Sequence, residues 1–239
     1  MMAAGEQLLA EYARTRSEEA FRGVVDRYIN LVYSTALRFV NGDSHCAQDI
    51  TQKVFADLAT MAAKLSSDVM LGGWLHRHTC FTASKTLRSE RRRLAREKAA
   101  MELDPTEDDS NLRAIAPLLD DAIDHLKPED RQAILLRYFE QQDFRSVGEH
   151  LGSNEEAARK RVTRALEKLR GLLARRGVTL SAATLGTVLG THAVSAAPIG
   201  LSAAVTTAAV ATAAAGGATT LTIVNLLTTT KTPRGVITA

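Results

Sequence analysis

Two basic runs carry the side chains with the plainest chemistry. From Lys85 to Lys98 seven cations (Lys85, Arg88, Arg91, Arg92, Arg93, Arg96 and Lys98) stand against Glu90 and Glu97, and from Glu156 to Arg176 eight cations stand against two acids. Such segments suit a polyanion. Arg77, Lys85, Arg88 and Arg91 to Arg93 lie on or just after a helix opened by Trp74-Leu75. Cations so placed can follow the backbone of a separated nucleic-acid strand while an aromatic, Phe81, stacks on a base. The ordinary alternative for Phe81 is a core residue, and for Trp74 a packing anchor. In the second run Arg159, Lys160, Thr163 and Arg164 occupy the early part of a helix, where side chains reach base edges in a major groove and cations meet phosphates.

Other chemistries find less support. His76, His78 and Cys80, with His45 and Cys46 upstream, invite a metal reading, but on a helix His76 and Cys80 share a face that His78 leaves, so the stretch offers two ligands at most. No phosphate-cradling Gly-Lys-Ser/Thr loop, HExxH or Gly-x-Ser-x-Gly elbow occurs. The expectation is a protein that is not an enzyme and needs no cofactor. Two cysteines and no signal peptide point to a reducing compartment, the cytoplasm.

Helices must position these groups. The chain has 239 residues, a formal net charge of +3, few aromatics and five prolines, which disfavours an all-β fold. Ser17 reads as an N-cap ahead of Ala20, Phe21, Val24, Val25, Tyr28, Leu31, Val32 and Ala36 at helical spacing. Asn41-Gly42-Asp43-Ser44 breaks the pattern before a second helix through Ala47, Ile50, Val54, Phe55, Leu58 and Ala59. Gly72-Gly73 punctuates again before the third. Residues 99–116 form a linker, and eight acids between Met101 and Asp124 face only Arg113. Three short helices come next, Leu118–Leu126, Pro128–Tyr138 and Phe144–Leu151, then a fourth from Glu155 to about Leu173. Phe144 to Leu173 has the form of a helix-turn-helix, with Gly148 where two helices cross closely.

From Gly177 to Thr230 no Lys, Arg, Asp or Glu occurs. The Ala/Thr-rich tail admits three readings: a membrane hairpin, a regulatory segment folding back on the domains, or a low-complexity extension. The fold expected is all-α, with a helical bundle at 1–98, the acidic linker at 99–116, a helix-turn-helix domain at 117–176 and the tail at 177–239.

Two motif sets resemble bacterial RNA polymerase sigma factors, most nearly the extracytoplasmic-function branch of the sigma-70 family. One set is Ala20-Phe21 with Tyr28, Ala47-Gln48-Asp49-Ile50-Thr51-Gln52-Lys53-Val54-Phe55, and Trp74-Leu75-His76-Arg77 leading to Arg91-Arg92-Arg93. The other is Leu126-Lys127-Pro128-Glu129-Asp130-Arg131, Leu135 to Phe139, Val147 to Gly152 and Arg161 to Arg170. The resemblance covers roughly residues 17 to 176 and leaves the tail out.

The resemblance implies partners and roles. Asp49, Gln52, Lys53 and Phe55 would meet the core enzyme, at the clamp of its largest subunit, with the flap of the second largest as a further contact. Arg77, Phe81, Lys85, Arg88, Arg91, Arg92 and Arg93 would hold the melted strand of the near promoter element. Arg159, Lys160, Arg161, Thr163 and Arg164 would hold the far element as duplex. In relatives the connector threads toward the active-centre cleft, where its acids could fill a basic channel; the plain alternative is a self-repelling spacer. An anti-sigma factor and a membrane contact through residues 177–230 are further partners to consider. Three departures stand out: Lys53 replaces a usual acid, so the details of the clamp contact do not carry over, while Phe81 replaces a frequent Asn and Ala157 a frequent Thr, so the near- and far-element sequences do not carry over either. The competing readings are a stand-alone dimeric helix-turn-helix regulator and a membrane-associated protein built on the tail.

Overall fold

The computed structural model describes residues 4–65, 69–98, 111–192 and 194–215, without the side chains of residues 91–98, 111–117 and 191–192. The acids Glu102, Asp104, Glu107, Asp108 and Asp109 of the expected linker, and the tail beyond residue 215, lie outside the described residues. Among the described residues ten α-helices run in order: α1 (Ala4–Thr15), α2 (Glu18–Phe39), α3 (Ser44–Met61), α4 (Leu71–Lys98), α5 (Asn111–Asp124), α6 (Pro128–Ile134), α7 (Phe144–His150), α8 (Glu155–Ala174), α9 (Ala182–His192) and α10 (Leu201–Ala214). No strand occurs among these residues.

Local chemistry sets the helix starts. The Ser17 hydroxyl accepts from the Ala20 N–H at 3.3 Å, and Glu18 and Glu19 occupy the first turn of α2. Asn41 and Gly42 take positive φ to reverse the chain, and the Asp43 carboxylate then accepts from the His45 and Cys46 amides, both at 3.0 Å, to open α3. Pro128 occupies the first turn of α6, where a missing N–H costs nothing. Gly72 and Gly73, read as a break, fall instead in the first turn of α4. A Cβ on Gly72 would come 3.0 Å from Glu140 Oε1 and one on Gly73 3.3 Å from Gln132 Oε1. Their smallness lets the later helices sit on the start of α4.

α2, α3 and α4 bury Phe21, Val24, Leu31, Ile50, Phe55, Leu58 and Leu75 as the centre of a bundle. α1, which periodicity did not single out, lies across α2, with Tyr12 against Phe21 at 4.7 Å between ring centroids. α5 to α8 form the second unit. α6 passes into a π-helical turn, Leu135–Phe139, where a regular helix was expected to Tyr138. α5 is closed by Arg131 from α6: its guanidinium donates to the carbonyls of Ile123, Asp124 and Leu126 at and just past the end of the helix.

The two units are not held apart. α5 packs on α2 and α4, and α6 on α4. The seam is ionic at its centre: Arg38 of α2 donates through Nε and Nη2 to Asp120 of α5 at 2.7 and 2.8 Å, and His76 Nε2 of α4 lies 3.1 Å from the same carboxylate. Asp120 and His76 have no exposed surface. At the rim Arg27 donates to Glu140 at 3.3 Å, and Arg77 stands 3.6 Å from Asp124. A charged residue on a helix reads as a solvated face, so periodicity alone leaves this seam invisible.

The seam sets opposed pH dependences. Burial pushes the Asp120 carboxyl up, but the Arg38 charge and hydrogen bonds outweigh it and hold it below its ordinary 3.8. Its share of stability is therefore full above that value and is lost as pH falls through the lower folded value. Glu140 is raised above 4.5 by burial, with Arg27 opposing, so stability declines as pH climbs from 4.5 through its folded value. Unfolding midpoints measured from pH 3 to 8 are expected to rise and then ease, and Glu140→Gln is expected to remove the decline alone. A decline that survives in Glu140→Gln would assign it to another group.

The segment read as an uncharged tail contains two helices. α9 lies on α8 and beside the π turn, and α10 lies along α3 and α2. Leu185, Leu189, Leu201, Val205, Thr206 and Ala209 are buried. Among the described residues no helix is long and apolar enough to cross a membrane.

Candidate nucleic-acid interface

α4 presents Arg77, Phe81, Lys85 and Arg88 as one exposed stripe at steps of four, four and three residues. The helix backbone runs on through Arg91, Arg92 and Arg93, whose side chains lie outside the described residues. Phe81 is 65% exposed, so the reading of it as core fails. A phenyl ring this open, in a bundle that buries Phe21, Phe39 and Phe55, is what a stacking platform requires. The ring does not stand alone. His78 stacks on Trp74 at 4.7 Å and lies 6.5 Å from Phe81 at a shallow angle, while its Nε2 is 2.9 Å from Asp57 of α3. Trp74 is half-buried against the core and anchors the ladder. Sequence reasoning missed His78 because it was weighed only as a metal ligand; its spacing of four from Trp74 and three from Phe81 was the signal.

The histidine and cysteine groups separate. His76 goes to Asp120, with Cys80 Sγ 3.8 Å from its Nδ1, whereas His78 goes to Asp57. Burial raises the Cys80 thiol pKa well above its ordinary value. Among the described residues no group of three or more His, Cys, Asp and Glu is placed to hold a metal.

On α8 the outer face carries Arg159, Lys160, Thr163 and Arg164, all exposed, opposite buried Ala158, Val162, Ala165 and Leu169. Arg161 departs from its expected place. At about 100° per residue it leaves the outer face, and its guanidinium pairs with Glu129 of α6. Arg159 lies 5.0 Å above the Phe144 ring and 3.2 Å from Glu155, and Lys160 is 2.7 Å from Glu156. Exposed pairs of this kind contribute little and exchange readily for phosphate.

The turn before α8 fixes its angle. Gly152 takes φ +63°, and Asn154 caps α8 by accepting from the Ala157 N–H at 2.8 Å. Leu136, Val147 and Ala158 close the junction from below. A Cβ on Gly148 would lie 2.9 Å from backbone atoms of Ser153 and Asn154, so only glycine fits where α7 meets the turn.

On α3, Asp49 and Lys53 are exposed, Gln52 is half-buried, and Phe55 has no exposed surface. Phe55 thus sets how α3 seats and is not itself presented. The polar positions form the free side of the helix.

The arrangement is a helical bundle with an exposed cation and aromatic stripe, joined to a helix-turn-helix with a basic outer face. The Sigma-70 region 2 family matches residues 24–93, and the Sigma-70 region 4 family matches residues 117–169. The chain belongs to the sigma-70 family. It is 29% identical over 166 residues to RNA polymerase sigma factor CarQ of Myxococcus xanthus, a match covering 68% of this chain and 94% of that protein. It is 31% identical over 162 residues to ECF RNA polymerase sigma factor SigE of Mycolicibacterium smegmatis, covering 64% of this chain and 61% of that protein. Within the sigma-70 frame, α2 to α4 carry region 2 and α5 to α8 region 4. α1, α9 and α10 lie outside both matched segments.

Proposed function

We propose that this sigma-70 protein directs core RNA polymerase to promoters by a two-site grip and does no covalent chemistry itself. Asp49, Gln52 and Lys53 dock on the clamp of the largest core subunit, with Phe55 holding α3 in place for them. Arg77, Lys85, Arg88 and Arg91 to Arg93 follow the phosphates of the melted near-element strand while Phe81 stacks on one of its bases. Arg159, Lys160, Thr163 and Arg164 read the far element as duplex, and Arg161 braces α8 on α6.

The observation that carries this is the exposed stripe Arg77, Phe81, Lys85 and Arg88 on α4. A dimeric operator binder has its duplex reader in α8 and gains nothing from an exposed aromatic among cations on a second unit. Purified protein mixed with core polymerase is expected to give specific run-off transcripts. A footprint on DNA without polymerase, and no transcript with it, would favour the operator binder.

Two substitutions separate the sites. Phe81→Ala is expected to weaken promoter opening by about 1–3 kcal/mol, the usual worth of one base stacked on an aromatic. The loss is read as reduced permanganate reactivity of the melted strand, with closed-complex binding retained. Lys160→Ala and Arg164→Ala are each expected to cost about 1–3 kcal/mol in far-element binding if they meet a base, or a uniform loss with a shallower salt dependence if they meet phosphate. Opening unchanged in Phe81→Ala would remove the stacking role.

A further inference from the structure

α10 occupies a definite place on the first unit. It lies along α3 and α2 with Leu201, Val205, Thr206 and Ala209 buried beneath it. Polar anchors hold its start: the Ser202 hydroxyl bonds to Asp26, and the Ala197 N–H donates to Asn30 Oδ1 at 2.9 Å. Asp26 and Asn30 are one turn apart on α2, and the same stripe continues through Ile29 and Tyr33, both buried.

Which side of α3 does α10 cover? α4 takes the margin that carries Asp57, through His78. α2 meets the centre of the buried face, and α10 lies on the flank remaining. At about 100° per residue the margin opposite Asp57 carries Gln48, Phe55, Ala59 and half-buried Gln52. Beyond Gln52 the exposed Asp49 comes about 60° farther round, whereas exposed Lys53 lies nearer the Asp57 margin. By this placement α10 stands on the margin of α3 that carries Phe55 and Gln52 and adjoins Asp49.

We infer that the α2/α3 groove is a helix-docking surface, and that α10 and a helical element of the polymerase core occupy it in turn. The inference rests on the proposed core-docking role of α3. The occupant suits such an exchange. α10 bears no charge and buries small and medium side chains, with rim hydrogen bonds fixing its register. A partner helix that reaches past this margin to Asp49 gains a charged contact that uncharged α10 does not offer. While α10 is docked, the fraction of chains open to core is reduced, and the apparent affinity falls by the same factor.

The test uses the full-length chain with Val205→Asp or Ala209→Asp, each of which places a charge in the α10 interface and leaves α2 and α3 unaltered. Binding of fluorescently labelled protein to purified core polymerase is measured by anisotropy, and release of α10 by elastase cleavage within 194–215. Both variants are expected to be cleaved faster and to bind core at least about tenfold more tightly than the parent. A synthetic peptide of residues 197–215 is expected to reverse that gain. Equal affinity with α10 released would overturn the inference, and so would weaker binding, which would make α10 part of the docking surface. Failure of the peptide to compete also counts against it. If neither parent nor variants bound core, the core-docking role itself would fall, a result distinct from equal binding by all.

Discussion

Asp120→Ala is expected to lower stability by about 3–5 kcal/mol, the usual cost of removing one partner of a buried ion pair. Arg38 would lose both of its hydrogen bonds to that carboxylate, and His76, with no exposed surface, would lose the acidic neighbour that its Nε2 meets. At this chain length 1 kcal/mol corresponds to about 2–4 °C, so a drop on the order of 10 °C is expected in a thermal melt. Because Asp120 lies on α5 while Arg38 and His76 lie on α2 and α4, the loss also loosens the two units from one another. Asp120→Asn keeps the shape and is expected to cost less. A melting temperature within about 1 °C of the parent for Asp120→Ala would mean that the seam is not ionic in solution.

Gly148→Ala tests the other unit. The added methyl group would sit 2.9 Å from the Ser153 carbonyl oxygen and from the Asn154 backbone. No flexible side chain is there to swing away, so the turn itself must shift. Overpacking of this sort costs about 1–3 kcal/mol, and here the strain falls on the element that aims α8. Far-element binding is expected to fall much more than the melting temperature suggests, because Arg159, Lys160 and Arg164, proposed to meet phosphates and bases, would be turned away together. Duplex affinity by gel shift, set beside thermal stability, separates the two effects. Unaltered affinity would mean that the α7 to α8 angle tolerates the methyl group.

Much of the framework was legible because it is local. Ser17 caps α2, Pro128 opens α6, and the apolar spacing of α2, α3 and α8 matches the buried sides of those helices. The basic outer face of α8 could be laid out from angle alone, which also should have set Arg161 apart. Phe81 could not be settled that way, since an apolar residue at helical spacing is as compatible with exposure as with burial until neighbouring helices are placed. The seam was hidden for the converse reason. Arg38, His76 and Asp120 carry polar groups that pattern reading sends to the surface, and only tertiary pairing makes their burial tolerable. α9 and α10 escaped because Ala, Thr, Ser and Gly give almost no contrast between faces, so a helix that docks by close backbone approach leaves little periodic trace.

The π turn at Leu135–Phe139 has a consequence for chain length. Such a turn holds one residue more than regular α winding does, and that extra residue brings both Phe139 and Glu140 round to the first unit. Arg38 lies 5.0 Å from the Phe139 ring, His76 meets it edge-on at 5.8 Å, and Arg27 reaches Glu140. Excising a single residue from this stretch would let the helix rewind to roughly 3.6 residues per turn and swing the downstream chain by about 100°. A chain shortened in this way would keep its helices and the α7 to α8 turn while losing the fit that closes one half against the other.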